Sequence, residues 1–159
     1  MQGMISRSWQ QLVVFMFCLT PRFLSKWIVY FVKPKYVIAV VALVADDAGR
    51  LLVLHHTYGK KYRWRFPGGI MERHERPFET AERELREEAN MVVKAKQLIT
   101  IVNGYATLDI AVYCELVNEL PFVPNAEVDD LRWIHPDERE LSLPTEQMEI
   151  WNVLKEMNP

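Results

Sequence analysis

An α/β or α+β domain, with helices on both faces of a mixed sheet, is predicted by three features of the sequence. Tyr36 to Ala45 (YVIAVVALVA) is a continuous apolar, β-branched run, the pattern of a strand buried on both faces. Residues 77–89 begin with Pro77, which suits a first helical turn, and bring Ala81, Leu85 and Ala89 round at four-residue spacing. Strand and helix patterns then interleave to the end of the chain without an internal repeat, so they belong to one layered domain.

At the N-terminus, Leu12 to Leu19 (LVVFMFCL) and Trp27 to Val32 (WIVYFV) are wholly apolar, with Thr20, Pro21, Arg22, Ser25 and Lys26 between them. A spanning helix needs about 18 or more apolar residues in one run. Each run here is less than half of that, and Arg22 and Lys26 would lie near mid-bilayer at considerable cost. No small-residue cleavage site follows Leu19, so a signal peptide is not expected. Residues 1–33 are read as an extension of two short helices hinged at Pro21. They pack on the domain, on a second subunit as a homodimer contact, or peripherally on a membrane through residues 9–32.

Residues 34–159 form the domain proper. After the first strand, Asp46-Asp47-Ala48-Gly49 has turn chemistry, and Arg50 to His55 (RLLVLH) reads as the returning strand of a hairpin. Residues 56–65 are a polar, aromatic loop, and Phe66-Pro67-Gly68-Gly69 breaks regular structure. Beyond the helix, Gln97–Asn103 and Thr107–Val117 are strands around Gly104, and Val128–Ile134 is a shorter one. Met148, Trp151, Val153 and Leu154 recur at roughly helical spacing and predict a closing helix over 144–157.

A chain of 159 residues, half of them hydrophobic and a quarter charged, fits one ordinary domain with a proper core. Its formal net charge of −2 argues against duplex nucleic acid as a partner, which wants a basic face, and leaves room for a small phosphorylated ligand. Cys18 and Cys114 match no metal-ligand spacing and sit among apolar neighbours. Buried thiols in a reducing, cytoplasmic compartment are the expectation.

Glu79 to Glu88 holds five glutamates and two arginines. On a helix, Glu84, Glu87 and Glu88 fall at i, i+3 and i+4, within about 100° of arc. Alone, such a face is an ordinary solvated one, softened by Arg83 and Arg86. Its context changes the reading. The acidic face follows Gly68-Gly69, whose bare backbone lets carbonyls approach a ligand. Carboxylates plus a carbonyl suit a hard divalent cation such as Mg²⁺ or Mn²⁺, which can clamp a diphosphate and lower the pKa of bound water.

This segment resembles the Nudix box, G-x5-E-x7-R-E-U-x-E-E-x-G-U with U a bulky aliphatic. Gly69 is followed by Glu75, then by Arg83-Glu84-Leu85-Arg86-Glu87-Glu88-Ala89, Asn90 and Met91. Every charged position fits, and Trp64-Arg65-Phe66-Pro67-Gly68 resembles the usual lead-in. Asn90 stands where the family has a helix-closing glycine; asparagine is the best non-glycine residue in a left-handed conformation. The resemblance extends over roughly residues 36–157. It implies an α/β/α sandwich around a mixed sheet. It is also similar to small bacterial members with two short N-terminal helices before the first strand.

What the resemblance implies for the site follows residue by residue. Gly69 offers its carbonyl to a metal, and Glu84, Glu87 and Glu88 hold one to three divalent ions. Glu84 is also the candidate for activating the attacking water, with Arg83 orienting it. Glu75 is structural, pairing with Arg83. Glu127, six residues before Trp133, lies where many members have a further acid that serves as metal ligand or base, with Asp129 and Asp130 as competitors.

Tyr58, Tyr62, Trp64 and Tyr105 are candidates for stacking a nucleobase, or equally for anchoring core and loops. Lys60, Lys61, Arg63 and Arg65 are candidates for terminal phosphates, or simply solvate the loop. No role is assigned to His55, His56, His74 or His135. The expectation is therefore a divalent-metal-dependent hydrolase cleaving a phosphoanhydride in a nucleoside diphosphate linked to another moiety, by attack of metal-activated water. The alternatives are a silent nucleotide-binding sensor and a membrane-associated protein whose domain is ancillary. No coenzyme A or ADP-ribose signature accompanies the box, and the substrate is left open.

Overall fold

The computed structural model describes residues 11, 15, 21–33, 35–59, 61–104, 106–135 and 142–157. Apart from Phe15, the apolar run 12–19 with its cysteine lies outside them, as do Lys60 and Tyr105. The chain falls into two compact units, Met1–Lys35 and Tyr36–Pro159.

In the first unit, α1 (Arg22–Val32) starts after Pro21, whose carbonyl accepts the Leu24 N–H at 2.8 Å, and ends as Lys33 N–H reaches the Val29 carbonyl at 3.0 Å. Among the described residues, no helix is long and apolar enough to cross a membrane.

The second unit contains β1 (Val37–Val44), β2 (Leu51–His56), β3 (Trp64–Arg65), β4 (Gly68–Ile70), α2 (Pro77–Ala89), β5 (Met91–Asn103), β6 (Thr107–Glu119), β7 (Val128–Ile134) and α3 (Thr145–Met157). Two sheets form. One is mixed, in the order β4-β1-β6-β5 with β1 and β6 parallel; the other is β3-β2-β7, antiparallel throughout.

Strand β1 explains its own composition. Val40, Ala42 and Val44 join a core cluster with Ala81, Leu85 and Ala89 of α2. Val41 and Leu43 join another with Ile150 and Trp151 of α3. Alternate side chains thus meet opposite helices, and neither face keeps a polar side. Strand β2 divides likewise, Leu52 and Leu54 to one cluster and Leu51 and Val53 to the other. Together they bury the α/β layers that the sequence predicts.

Three local expectations are corrected. The turn at Asp46 forms, with its Oδ1 accepting the N–H groups of Ala48 and Arg50, but β2 meets β1 only at the Ala45–Leu51 bridge and pairs instead with β3 and β7. The Gly-Gly stretch does not break regular structure: Gly68–Ile70 is a strand antiparallel to β1, with Val40 opposite Gly69. Strand β5 begins at Met91, directly after α2, and not at Gln97; its alternating Met91, Val93 and Ala95 are buried.

Helix α2 ends as Asn90 adopts φ 55° and ψ 35°, left-handed, with its N–H on the Leu85 carbonyl. Gly104, between β5 and β6, donates its N–H to the Thr107 carbonyl at 3.0 Å.

Candidate active site

The glutamates of α2 divide by task. Glu79 accepts the backbone N–H of Arg76 at 2.9 Å and its guanidinium at 2.7 Å, fastening the first turn. Glu82 accepts the Ala95 N–H at 3.0 Å and pairs with Lys94, tying the helix to β5. Glu84, Glu87 and Glu88 are left for the edge beside β4.

Arg83 organises that edge. Its Nε and Nη2 donate to the two oxygens of Glu75 at 2.8 and 3.1 Å. Its Nη1 donates to Glu84 at 2.8 Å and to Glu87 at 3.0 Å, and Nη2 also reaches the Ile70 carbonyl. One planar cation thus joins three carboxylates to strand β4, which its fixed fork of donors allows and a lysine would not. Glu75 further accepts the buried Thr80 hydroxyl at 2.8 Å and the Glu72 N–H at 2.9 Å. The hydrogen bonds from Arg83, aided by those from Glu72 and Thr80, hold its carboxyl down to about 2.

Gly68 and Gly69 are glycines because the Val40–Val41 backbone and the Glu84 side chain occupy the space of a side chain. A Cβ on Gly68, which has φ 145°, would lie 2.1 Å from the Val40 carbonyl oxygen. A Cβ on Gly69 would lie 2.3 Å from Oε1 of Glu84. Glu84 is therefore packed against bare backbone, and burial pushes its pKa up against the opposing pull of Arg83. Glu88 is 6% exposed and accepts the Gly68 N–H at 2.9 Å. Burial pushes it up to about 8; the Gly68 bond opposes this, and the charges of Glu84, Glu127 and Glu87 add to it.

Glu84, Glu87 and Glu88 thus share one edge of the helix, and the charge of Glu127, in the loop before β7, acts on Glu88. Thr57 fixes that loop, its N–H on the Glu127 carbonyl and its hydroxyl on the Ala126 carbonyl. Asp129 and Asp130 are engaged elsewhere, the first by Nδ1 of His55 and the second by the Leu131 N–H and Arg132. Oxygen donors are the chemistry that a hard divalent cation takes, and these carboxylates supply it. With Arg83 bridging Glu84 and Glu87, no three His, Cys, Asp or Glu side chains among the described residues are grouped to hold a metal.

Of the substrate candidates, Tyr58 lies in the field of this cluster: burial, then Glu127 and Glu88, raise its pKa, with a smaller push from Glu84. Its ring is half exposed, and the Arg65 guanidinium stands 5.9 Å from its centre. Arg63 is committed to the His56 and Thr57 carbonyls, and Nε of Arg65 to the Tyr62 carbonyl. Trp64 has Arg132 4.5 Å from its ring centre and the His55 ring at 4.9 Å. Tyr58 itself packs edge-on to the His56 ring at 5.2 Å.

Two contributors were not legible. Gly68 supplies the N–H that holds Glu88; its only signal is the lead-in. Gln147 of α3, buried, accepts the Phe66 N–H at 2.8 Å, and a lone polar residue on a helix gives no warning of that. A mainly apolar cleft of about 460 Å³, lined by Ile99, Tyr113, Trp151 and Leu154 among others, contains none of the box residues.

Comparison with known proteins fits this geometry. The chain is similar in structure to a MutT protein from Methanosarcina mazei Go1 (TM-score 0.66, 19% identity, covering 80% of this chain and 99% of that one). It is similar to a UDP-X diphosphatase (0.63, 22%, 84% and 72%). It is also similar to an ADP-ribose pyrophosphatase from Streptococcus suis 89-1591 (0.62, 21%, 77% and 92%). At these identities the likeness shows the fold. No curated protein sequence matches the chain at a significant level. The model of the NUDIX domain matches residues 35–157, most of the chain, and with the box held together as described the chain belongs to the NUDIX family.

Proposed function

We propose that this protein is a divalent-metal-dependent hydrolase that cleaves the phosphoanhydride of a nucleoside diphosphate linked to another moiety. The observation that carries the reading is the gathering of Glu84 and Glu88 against Gly68-Gly69, with Arg83 binding Glu84 and Glu87 to the same edge. A UDP-X diphosphatase and an ADP-ribose pyrophosphatase are among the similar structures, and the substrate class they share is the one carried over here.

Glu84, Glu87 and Glu88, with the Gly69 carbonyl and Glu127, would hold Mg²⁺ or Mn²⁺. Such an ion supplies charge neutralisation for the phosphate oxygens. Glu84 takes the proton of the attacking water. The water oxygen bonds to phosphorus, the anhydride P–O bond breaks, and the departing phosphate carries the electron pair. Arg83 fixes the Glu84 carboxylate for that task, and Glu75 fixes Arg83. Tyr58 offers its half-exposed ring to the nucleoside.

The test is product release from nucleoside triphosphates, dinucleoside polyphosphates and nucleotide sugars, with Mg²⁺ or Mn²⁺, beside a Glu88→Gln variant. Turnover of a nucleotide sugar or its like, lost in the variant, is expected. Silence across the panel with both metals would sink the reading in favour of a nucleotide sensor.

A further inference from the structure

Charge is divided very unevenly along this chain. All 21 Asp and Glu residues lie beyond Ala45, whereas the first 45 residues carry five Lys and Arg and no acid. The NUDIX domain is thus acidic, and the segment before it is purely cationic.

Helix α1 sorts that segment by direction. At about 100° per residue, Leu24, Trp27, Ile28 and Phe31 fall on one face and Lys26 falls opposite, with Val29 nearer to it, while Lys33 follows directly as the C-cap. The apolar face is open: Trp27 is 57% exposed, Phe31 71% and Leu24 43%. Its aromatic rings pack on one another, Trp27 stacked on Phe31 at 5.9 Å and Tyr30 edge-on to both. Lys35 stands 4.5 Å from the Tyr30 ring centre, at the end of the helix.

We propose that α1 binds the surface of an anionic lipid bilayer, lying in the plane of the interface. Its apolar face would enter the acyl boundary and its lysines would meet the headgroups. Three observations together favour lipid. An amphipathic helix with large apolar side chains opposite lysines is the form that lies in an interface. Trp27 and Tyr30, amphipathic rings, suit headgroup depth. A segment without a single carboxylate is complementary to a negative surface along its whole length. At 11 residues α1 is too short to span, so the contact is peripheral.

Flotation of the full-length protein with vesicles tests this, using phosphatidylcholine alone and the same lipid with roughly a third phosphatidylglycerol. The protein should rise with the anionic vesicles, stay down with the neutral ones, and be released by salt. The triple variant K26Q/K33Q/K35Q should bind on the order of a hundredfold more weakly, about fivefold for each lysine. The pair Trp27→Ser and Phe31→Ser should also lose binding, with circular dichroism and thermal unfolding of the domain unchanged. No flotation with either vesicle, or equal flotation of wild type and both variants, overturns the proposal. So does a dimer, seen by light scattering, that the Trp27→Ser and Phe31→Ser pair dissociates while wild type fails to float; a second copy is then the occupant.

Discussion

Gly69 and Glu84 stand so close that a methyl group on the first would meet the carboxylate of the second at 2.3 Å. The obstacle is the end of the Glu84 side chain, so Gly69→Ala should displace that carboxylate at a cost to the fold of about 1–3 kcal/mol. Activity should fall by on the order of a hundredfold, as expected when a reacting group is moved by about an ångström. The neighbouring Gly68→Ala gives the contrast. There the obstacle is the Val40 backbone at 2.1 Å and φ is 145°, so neither side can yield. That variant should lower the melting temperature sharply. Unfolding curves and turnover of the two, compared side by side, check both statements.

Glu88 is a buried carboxylate whose one close donor is the Gly68 N–H, and the fold pushes its pKa up to about 8. Glu88→Gln keeps an oxygen for that N–H and removes the cost of protonating the buried carboxyl on folding. In the absence of divalent ions the variant should melt higher than wild type, by roughly 1 kcal/mol or a few degrees. Adding Mg²⁺ or Mn²⁺ should raise the melting temperature of wild type and not that of the variant. An equal shift in both would show that this glutamate does not hold the ion.

Glu75 gives an acid limb to stability. Its carboxyl falls from an ordinary 4.5 to about 2 in the fold, through Arg83 first. The folded state therefore binds this proton less readily than the unfolded one. The stabilisation is complete above pH 4.5 and drains away as the pH falls through about 2. Urea unfolding at neutral pH should show Glu75→Gln weaker by roughly 1–2 kcal/mol, with the two proteins converging as the pH approaches the lower value.

His56 is 3% exposed, its Nδ1 has no hydrogen-bond partner among the described residues, and burial lowers its pKa from 6.5 to about 4, with the Arg65 charge adding to this. A buried neutral imidazole contributes fully above pH 6.5 and loses that contribution as the pH falls through about 4. His56→Phe should flatten the stability profile over that window and leave the lower, Glu75-dependent limb in place.

Asn90 closes α2 at φ 55°. Asn90→Ala should cost about 1–2 kcal/mol in denaturant, the penalty of a Cβ in the left-handed region. Asn90→Gly should stay within about 0.5 kcal/mol of wild type, because relief of strain offsets the lost side-chain bond to the Pro121 carbonyl.

Helix α2 and strand β7 lie over 77–89 and 128–134, where their patterns put them, because each carries its period within a short window. Strand β1 was legible for a different reason: burial on both faces leaves no polar alternation to misread. Pairing partners were harder. Asp46 to Gly49 announce a reversal, yet nothing local says that β2 will leave β1 for β7, a choice made by Leu51 to Leu54 as they fill two cores at once. Strand β4 was hidden because glycine reads as an interruption, when here it permits Val40 to come close. At the site, spacing names the carboxylates. Which of them Arg83 engages depends on rotamers and on loop 71–76, and spacing carries neither.

The Phe66 N–H is held by Gln147 of α3 and the Gly68 N–H by Glu88 of α2, so helices from opposite layers clasp the same few residues of backbone. That stretch is a fixed jaw. If the protein acts as proposed, movement on binding is expected in the turn around Tyr58 or the loop before β7 and not in this doubly held stretch.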